Sequence, residues 1–269
     1  MISKPEEPGS SRPGKHPAAV DVRSYVVPCA DVVPTAPFTW LRLGWQDLKA
    51  APRVSLAYGF FVFALSAFVA WLAWRLGGYV LLISALSGFV FIAPLLAFGL
   101  YSVSRELSEG RRPSLRRSLR AVLKPFGNAA IFALILLVIF MVWARAGMMV
   151  HVFFPVDGQP KPGDIATFLA VGSAVGSLFA GFTFASAAFS LPMLANRDVD
   201  VVTAVVSSIN AVLRNKWTMA VWAALIVVIT ALSLATAMLG LIVTIPWLAY
   251  ATWHSYHEAL DVHEWPTLE

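Results

Sequence analysis

Six stretches of this chain, about 54–74, 79–102, 128–152, 165–190, 217–237 and 239–256, are apolar over the length of a membrane-crossing helix. None of them contains Asp or Glu. A hydrocarbon core about 30 Å thick takes roughly 20 such residues as a helix. In that medium each backbone N–H and C=O must be satisfied within the protein, which leaves helices as the natural form of these blocks. The expected fold is therefore an all-α membrane protein with six transmembrane helices. Only Arg75-Leu-Gly-Gly-Tyr79 separates the first two, a tight reversal. The last two meet near Gly240. Read as one helix, 217–256 would need about 60 Å of membrane at a rise of roughly 1.5 Å per residue, so it is read as a hairpin.

Composition agrees. With 58% apolar and 13% charged residues among 269, the chain departs from soluble domains, which carry about a quarter charged residues. The single cysteine, Cys29, excludes an internal disulfide and a multi-cysteine metal site. A net charge of +5 points to anionic rather than cationic partners.

Basic residues give the orientation, because they accumulate on the cytoplasmic side. Seven precede the first span, seven lie between spans two and three, and three lie between spans four and five. Arg75, Arg145 and Lys161 are left for the other side. A multi-pass membrane protein with both termini cytoplasmic is expected. Residues 1–37 are polar, hold seven prolines and lack a short apolar core of the signal-peptide kind. They read as a disordered, Pro-rich cytoplasmic tail. Residues 38–258 form the membrane domain, and 259–269 a short cytoplasmic tail.

A threefold pattern runs through the membrane domain. Each hairpin is preceded by a segment with helical apolar spacing. The first carries Trp40, Leu41, Trp45 and Leu48, and the second Leu115, Leu119, Val122 and Leu123. The third carries Val201, Val202, Val205, Ile209, Val212 and Leu213. Each second span holds a proline in a shared tetrapeptide: Pro94-Leu-Leu-Ala97, Pro192-Met-Leu-Ala195 and Pro246-Trp-Leu-Ala249. A helix-interior proline frees the carbonyl four residues back, here Val90, Ala188 and Ile242, and three matching bends are expected. Three parallel repeats follow, 38–102, 114–190 and 199–258, related by a pseudo-threefold axis along the membrane normal. Each opens with an amphipathic helix at the cytoplasmic interface.

Several of these residues also carry a likeness. Trp40-Leu, Gly44-Trp45, Asp47-Leu48 and Ser55-Leu-Ala-Tyr-Gly59 are the first group. Pro94, Gly99-Leu-Tyr101, Ser104-Arg105-Glu106-Leu, Glu109-Gly110 and Thr252-Trp-His-Ser-Tyr256 complete it. Together they resemble a bacterial family of predicted integral membrane proteins, catalogued as domain-of-unknown-function family 2189, over about residues 38–262. The resemblance implies a six-span protein of the bacterial cytoplasmic (inner) membrane without an established activity. Members are at times labelled cytochrome c oxidases. A haem–copper centre is built on intramembrane histidines, and of the five here His16 and His263 lie outside the spans, so the label does not fit this chain.

The candidate sites are few, and each has a plainer reading. Arg111, Arg112, Arg116, Arg117, Arg120 and Lys124 could contact anionic lipid head groups, at about 1 kcal/mol per base near the surface, or simply set topology. Arg105-Glu106 and Arg197-Asp198 could pair across repeats. With His254 and His257 they would make a polar cluster at the cytoplasmic end, against which stands the ordinary reading of solvated helix ends. His254, His257, Glu258 and Asp261 share a helical face, but a solvated terminus explains them better than a metal. Arg145 is placed near the outer boundary, since a charge at mid-membrane costs about 2.5–3.5 kcal/mol. Gly172, Gly176 and Gly181 would let span four pack closely, within the chain or against a second copy.

No metal quartet, carboxylate dyad or nucleophile–base pair can be named, so neither an enzyme nor a cofactor is expected. Nucleic acid is a poor partner for bases held against a bilayer. The reading is a non-catalytic organiser or regulator acting through lipids or a membrane-protein partner. The alternative is a transporter or channel for an uncharged or lipid-like small molecule, since the span centres lack the ionisable groups of ion-coupled pumping.

Overall fold

The computed structural model describes residues 26–114, 126–153 and 162–268. Among them every regular element is a helix, apart from two isolated antiparallel bridges, Cys29–Leu260 and Arg197–Thr267. In chain order the helices are α1 (Ala36–Ala50), α2 (Pro52–Ser108), α3 (Phe126–Phe153), α4 (Pro162–Ala187), α5 (Ser190–Asn196), α6 (Val201–Arg214), α7 (Lys216–Ala235) and α8 (Leu241–Ala259).

Helix α2 is two antiparallel limbs. It is broken at Gly77 (φ −145°, ψ 15°) and Gly78 (φ 62°, ψ −149°), and the second of these is a left-handed conformation that only glycine adopts at little cost. Gly99 on the return limb lies against Tyr58 on the outgoing one. The α7–α8 reversal is made differently. Ala237 (φ 51°) and Met238 (φ 68°) take the positive angles, while Gly240 (φ −57°) is needed because a Cβ there would stand 2.8 Å from the Ser233 Cα. The glycine that marked this turn in the sequence thus serves close approach rather than chain reversal.

Four helices are long and apolar enough to cross a membrane: Pro52–Gly78, Gly127–Met149, Ala166–Asn196 and Lys216–Ala235. The return limb of α2 and α8, expected as spans two and six, are not among them. Both end in polar turns, Ser104-Arg105-Glu106-Leu-Ser108 and Thr252-Trp-His-Ser-Tyr-His-Glu258.

Burial is concentrated at one end of the bundle. The largest fully buried side chains include Trp40, Trp222, Trp253, Tyr250, Tyr256 and Phe189. They sit near the helix ends where α1, α6 and both described chain ends also lie. The apolar stretches of the four spans are mostly left uncovered by the chain, Ala166–Asn196 most of all, although Ser233 and Leu241 are buried at the α7–α8 reversal. We call the buried end the capped end.

The cap corrects the expected tails. Residues 26–37 are not a free tail: Val27 is fully buried, and Ala36 and Pro37 belong to α1. Residues 26–35 run as a strap along α6, α7 and the end of α8. The Val27 N–H donates to Ser207 Oγ (2.9 Å), and Val32 N–H donates to Asn215 Oδ1 (2.8 Å). Thr218 Oγ1 donates to the Val32 carbonyl (2.7 Å), and Ala30 N–H to the Ala259 carbonyl (2.9 Å). The C-terminal segment packs as well, burying Leu260, Val262 and Trp265. Both segments satisfy helix-end groups that would otherwise be orphaned.

The three prolines do not occupy equivalent places in their helices. The helix continues through Pro94 and Pro246, whereas Pro192 lies past a break at 188–189, in the first turn of α5, where a missing N–H costs little. Nor do Gly172, Gly176 and Gly181 pack against the rest of the chain: a Cβ at any of them would meet nothing within 4 Å. Helix α4 is held by its capped-end half, where Thr183, Ser186 and Ala187 are buried, and its Leu169, Leu178 and Phe182 face outward.

Candidate functional site

The cap is closed by three polar junctions. The densest joins α1, the return limb of α2, and α8. Two tryptophans set α1 in place: Trp40 Nε1 donates to Glu258 Oε2 (2.7 Å) and Trp247 Nε1 to the Leu41 carbonyl (2.7 Å). Close approach of the backbones is possible because Gly44 has no side chain; a Cβ would lie 2.6 Å from the Ala251 nitrogen. The expected apolar stripe of α1 accordingly faces protein. Trp40, Leu41 and Leu48 are buried, and Trp45 rests edge-on against Trp247 (5.4 Å).

One turn on, a single carboxylate gathers two donors. Ser104 Oγ donates to Asp47 Oδ2 at 2.8 Å, and His254 Nε2 stands 3.0 Å from the same oxygen. A carboxylate only accepts, so the imidazole carries its proton on Nε2. Nearby, Ser55 Oγ donates to the Ala51 carbonyl and therefore accepts from the Tyr250 hydroxyl (2.7 Å). Ser104 and His254 converge on the acid rather than on each other. A nucleophile–base relay is not assembled in this arrangement; what the carboxylate does is tie three helices together.

The second junction runs from α2 to α5, where Arg105 Nη1 donates to the Ala195 carbonyl (3.3 Å). That carbonyl lies in the last turn of α5, where a cation is favoured. At the third, Asn196 Nδ2 donates to the Tyr256 hydroxyl (3.1 Å), and Arg197 Nη1 to the Trp265 carbonyl (2.8 Å). Arg105 and Arg197 thus each reach a carbonyl on another element, where the sequence suggested ion pairs across repeats. The Ala195 carbonyl ends a helix and already requires a donor, whereas the Trp265 carbonyl belongs to the C-terminal segment beyond α8.

The six residues expected as one polar cluster all lie at the capped end, each with its own partner. Arg105, Arg197 and His254 have those just given. Glu106 is buried and accepts from the Ser114 N–H (3.3 Å). The exposed Asp198 gives its N–H to the Pro266 carbonyl (2.9 Å). The His257 ring lies edge-on to Trp253 at 4.7 Å. His254 faces α1 and Glu258 faces Trp40, so the histidine–carboxylate row on α8 is drawn to separate partners. Among the described residues no group of three His, Cys, Asp or Glu side chains is placed to hold a metal.

Of the expected lipid-contacting bases, Arg116, Arg117, Arg120 and Lys124 lie outside the described residues, as does the second amphipathic segment. Arg111 pairs with Glu109 at the surface, and Arg112 is exposed. Arg145 is exposed near the hairpin end of α3.

The third segment with helical apolar spacing is the helix α6. Asp200 caps it, its carboxylate accepting from the Thr203 N–H (2.9 Å) and Oγ1 (2.6 Å). Burial would raise that carboxyl, and these hydrogen bonds outweigh it and hold it below the ordinary value. The face turned to protein is small and hydroxylated: Thr203, Ala204, Ser207, Ser208 and Ala211. Ser208 Oγ donates to the Ala185 carbonyl (2.7 Å) and accepts from the Phe189 N–H (3.0 Å).

Sequence reasoning ranked neither Asp47 nor Ser104 as site residues, and it missed Trp40–Glu258 and the strap altogether. The available signal was the set of residues that carried the family likeness. Trp40, Gly44, Asp47, Ser104 and His254 stand up to about 200 positions apart and meet at one junction.

Residues 81–196 match a family model described as Predicted integral membrane protein (DUF2189). The matched stretch runs from the return limb of α2 through α5, so it includes Arg105 and Ser104 but neither α1 nor α8. No curated protein and no solved structure matches the chain.

Proposed function

We propose that the chain is a non-catalytic protein of the bacterial inner membrane that organises or regulates lipids or a partner complex from its cytoplasmic face. In this reading it crosses six times, as three parallel hairpin repeats, and the capped end with both termini is cytoplasmic. The positive-inside distribution of Lys and Arg supports that orientation. The return limb of α2 and α8 complete the hairpins, their polar last turns lying in the interface rather than the hydrocarbon.

The observation that carries the reading is the distribution of burial. The polar side chains at the capped end tie helices together, while the apolar faces of the spans are left uncovered by the chain itself. Apolar surface of that extent in a membrane is covered by lipid or by another protein. The second reading, transport of an uncharged or lipid-like molecule, draws on the open glycine face of α4 beside the buried hydroxyls of Thr183 and Ser186, which have no hydrogen-bond partner among the described residues.

The test is purification of the full chain from its native membrane in mild detergent, with mass spectrometry of what accompanies it. Anionic lipid or one partner protein, retained in fixed proportion through a second column, is expected. Recovery of neither contradicts the organising role.

A further inference from the structure

We propose that α6 lies in the head-group–acyl boundary of the bilayer, with Val202, Val206, Ile209 and Leu213 turned toward the acyl chains. At about 100° per residue, these four fall within one narrow arc. Val202 and Leu213 are 67% and 68% exposed, and Trp217, which continues the row at the start of α7, is 73% exposed.

The opposite arc is fully engaged. Ser208 is bonded to the α4–α5 connection, and Ser207 and Asn215 hold the strap. The helix therefore cannot rotate to bury its valines without breaking those bonds. In water the arc would be an unsupported apolar stripe. At the boundary it meets the depth at which interfacial helices bury their apolar face.

Two features select lipid over a protein as the occupant. The apolar row is continuous with the exposed face of α7 across the single joint residue Asn215, so one medium covers both. Lys216 and Arg214, the latter paired with Asp31 on the strap (3.2 Å), flank the joint, placing positive charge at the level of anionic head groups, with Trp217 at the depth aromatic belts occupy.

The inference rests on the reading that α7 crosses the membrane, and the test separates the two. In a Cys29→Ser background, single-cysteine variants Val206→Cys, Asp31→Cys and Val228→Cys carry a small fluorophore. The full chain is reconstituted in phosphatidylethanolamine–phosphatidylglycerol vesicles with and without acyl-chain-brominated lipid. Position 228, mid-span, and position 206 are expected to lose most of their emission with brominated lipid. Position 31, on the strap, should respond only to aqueous iodide. Quenching at 228 but not at 206 overturns the proposal and leaves the spanning reading intact, whether 206 proves open to iodide or cross-links to a second copy. Failure at 228 overturns the spanning reading itself.

Discussion

Replacing Gly59 by alanine is expected to be the most damaging single-methyl change in the protein. Pro246 donates no N–H, so the Ile242 carbonyl four residues back has no partner within α8. Gly59 presents its bare Cα to that carbonyl, and a Cβ there would lie 1.9 Å from the oxygen. The obstacle is backbone, which cannot swing aside like a side chain. Accommodation would require α2 and α8 to separate along a tightly packed contact, at the upper end of the about 1–3 kcal/mol typical of overpacking or beyond it.

The expected result is loss of the monodisperse peak on size exclusion, or a large fall in the midpoint of thermal unfolding in detergent. Gly172→Ala and Gly176→Ala are the matched controls, because an added Cβ meets nothing there. Both should be neutral or slightly stabilising, since alanine is the better helix former by about 0.5–1 kcal/mol. Equal behaviour of Gly59→Ala and the controls would show that α2 and α8 do not meet as described.

Trp40→Ala should be comparably severe for a different reason. The indole is fully buried, stands edge-on to Trp222 (5.6 Å, 88°) and donates to Glu258. Truncation removes its buried area and leaves a cavity, at about 3–5 kcal/mol. It also leaves a carboxylate without its donor. Trp40→Phe keeps most of the ring and loses the N–H; Glu258 is exposed and its carboxylate rehydrates, so a cost of about 0.5–1.5 kcal/mol is expected. Trp45, on the same helix but 38% exposed, should tolerate alanine far better. Protease sensitivity of the α1–α2 joint in intact vesicles reads the same order: alanine at 40 exposes it most, phenylalanine at 40 less, and alanine at 45 least. A reversed order would place α1 outside the core.

What could be read in the sequence follows from what the bilayer demands locally. Unbroken apolar blocks, a charge-free interior and a Gly-Gly reversal are properties of neighbouring residues, and the helices and the break at Gly77–Gly78 follow them. Contacts between distant segments were not legible in the same way. Gly172 and Gly176 obey a close-packing spacing and yet face open space, while Gly44, with no such spacing, and Gly59, with it, make the tight approaches. Spacing describes one helix, and only the partner's position decides which glycine is needed.

Charge was misread for a related reason. Arg105 and Arg197 stand beside acids in sequence, yet each donates to a distant carbonyl, Ala195 in the last turn of α5 and Trp265 in the C-terminal segment. The strap was missed because seven prolines within 1–37 suggested disorder, whereas the bonds that fasten Val27 and Val32 are made by Ser207 and Asn215, roughly 180 residues away. Helix α6 was recognised as amphipathic, but its valines were placed without knowing that the serine face was already taken by protein.

The central claim is that the chain enters and leaves at one capped end and reaches the other only at its hairpin turns. Reporter fusions test it directly. An enzyme active only in the periplasm and a fluorescent protein that matures only in the cytoplasm are attached in turn at each terminus and inserted at Gly78 and at Met238. Fluorescence at both termini and periplasmic activity at both insertions are predicted. Termini on opposite sides, or either hairpin turn on the side of the termini, would contradict the account.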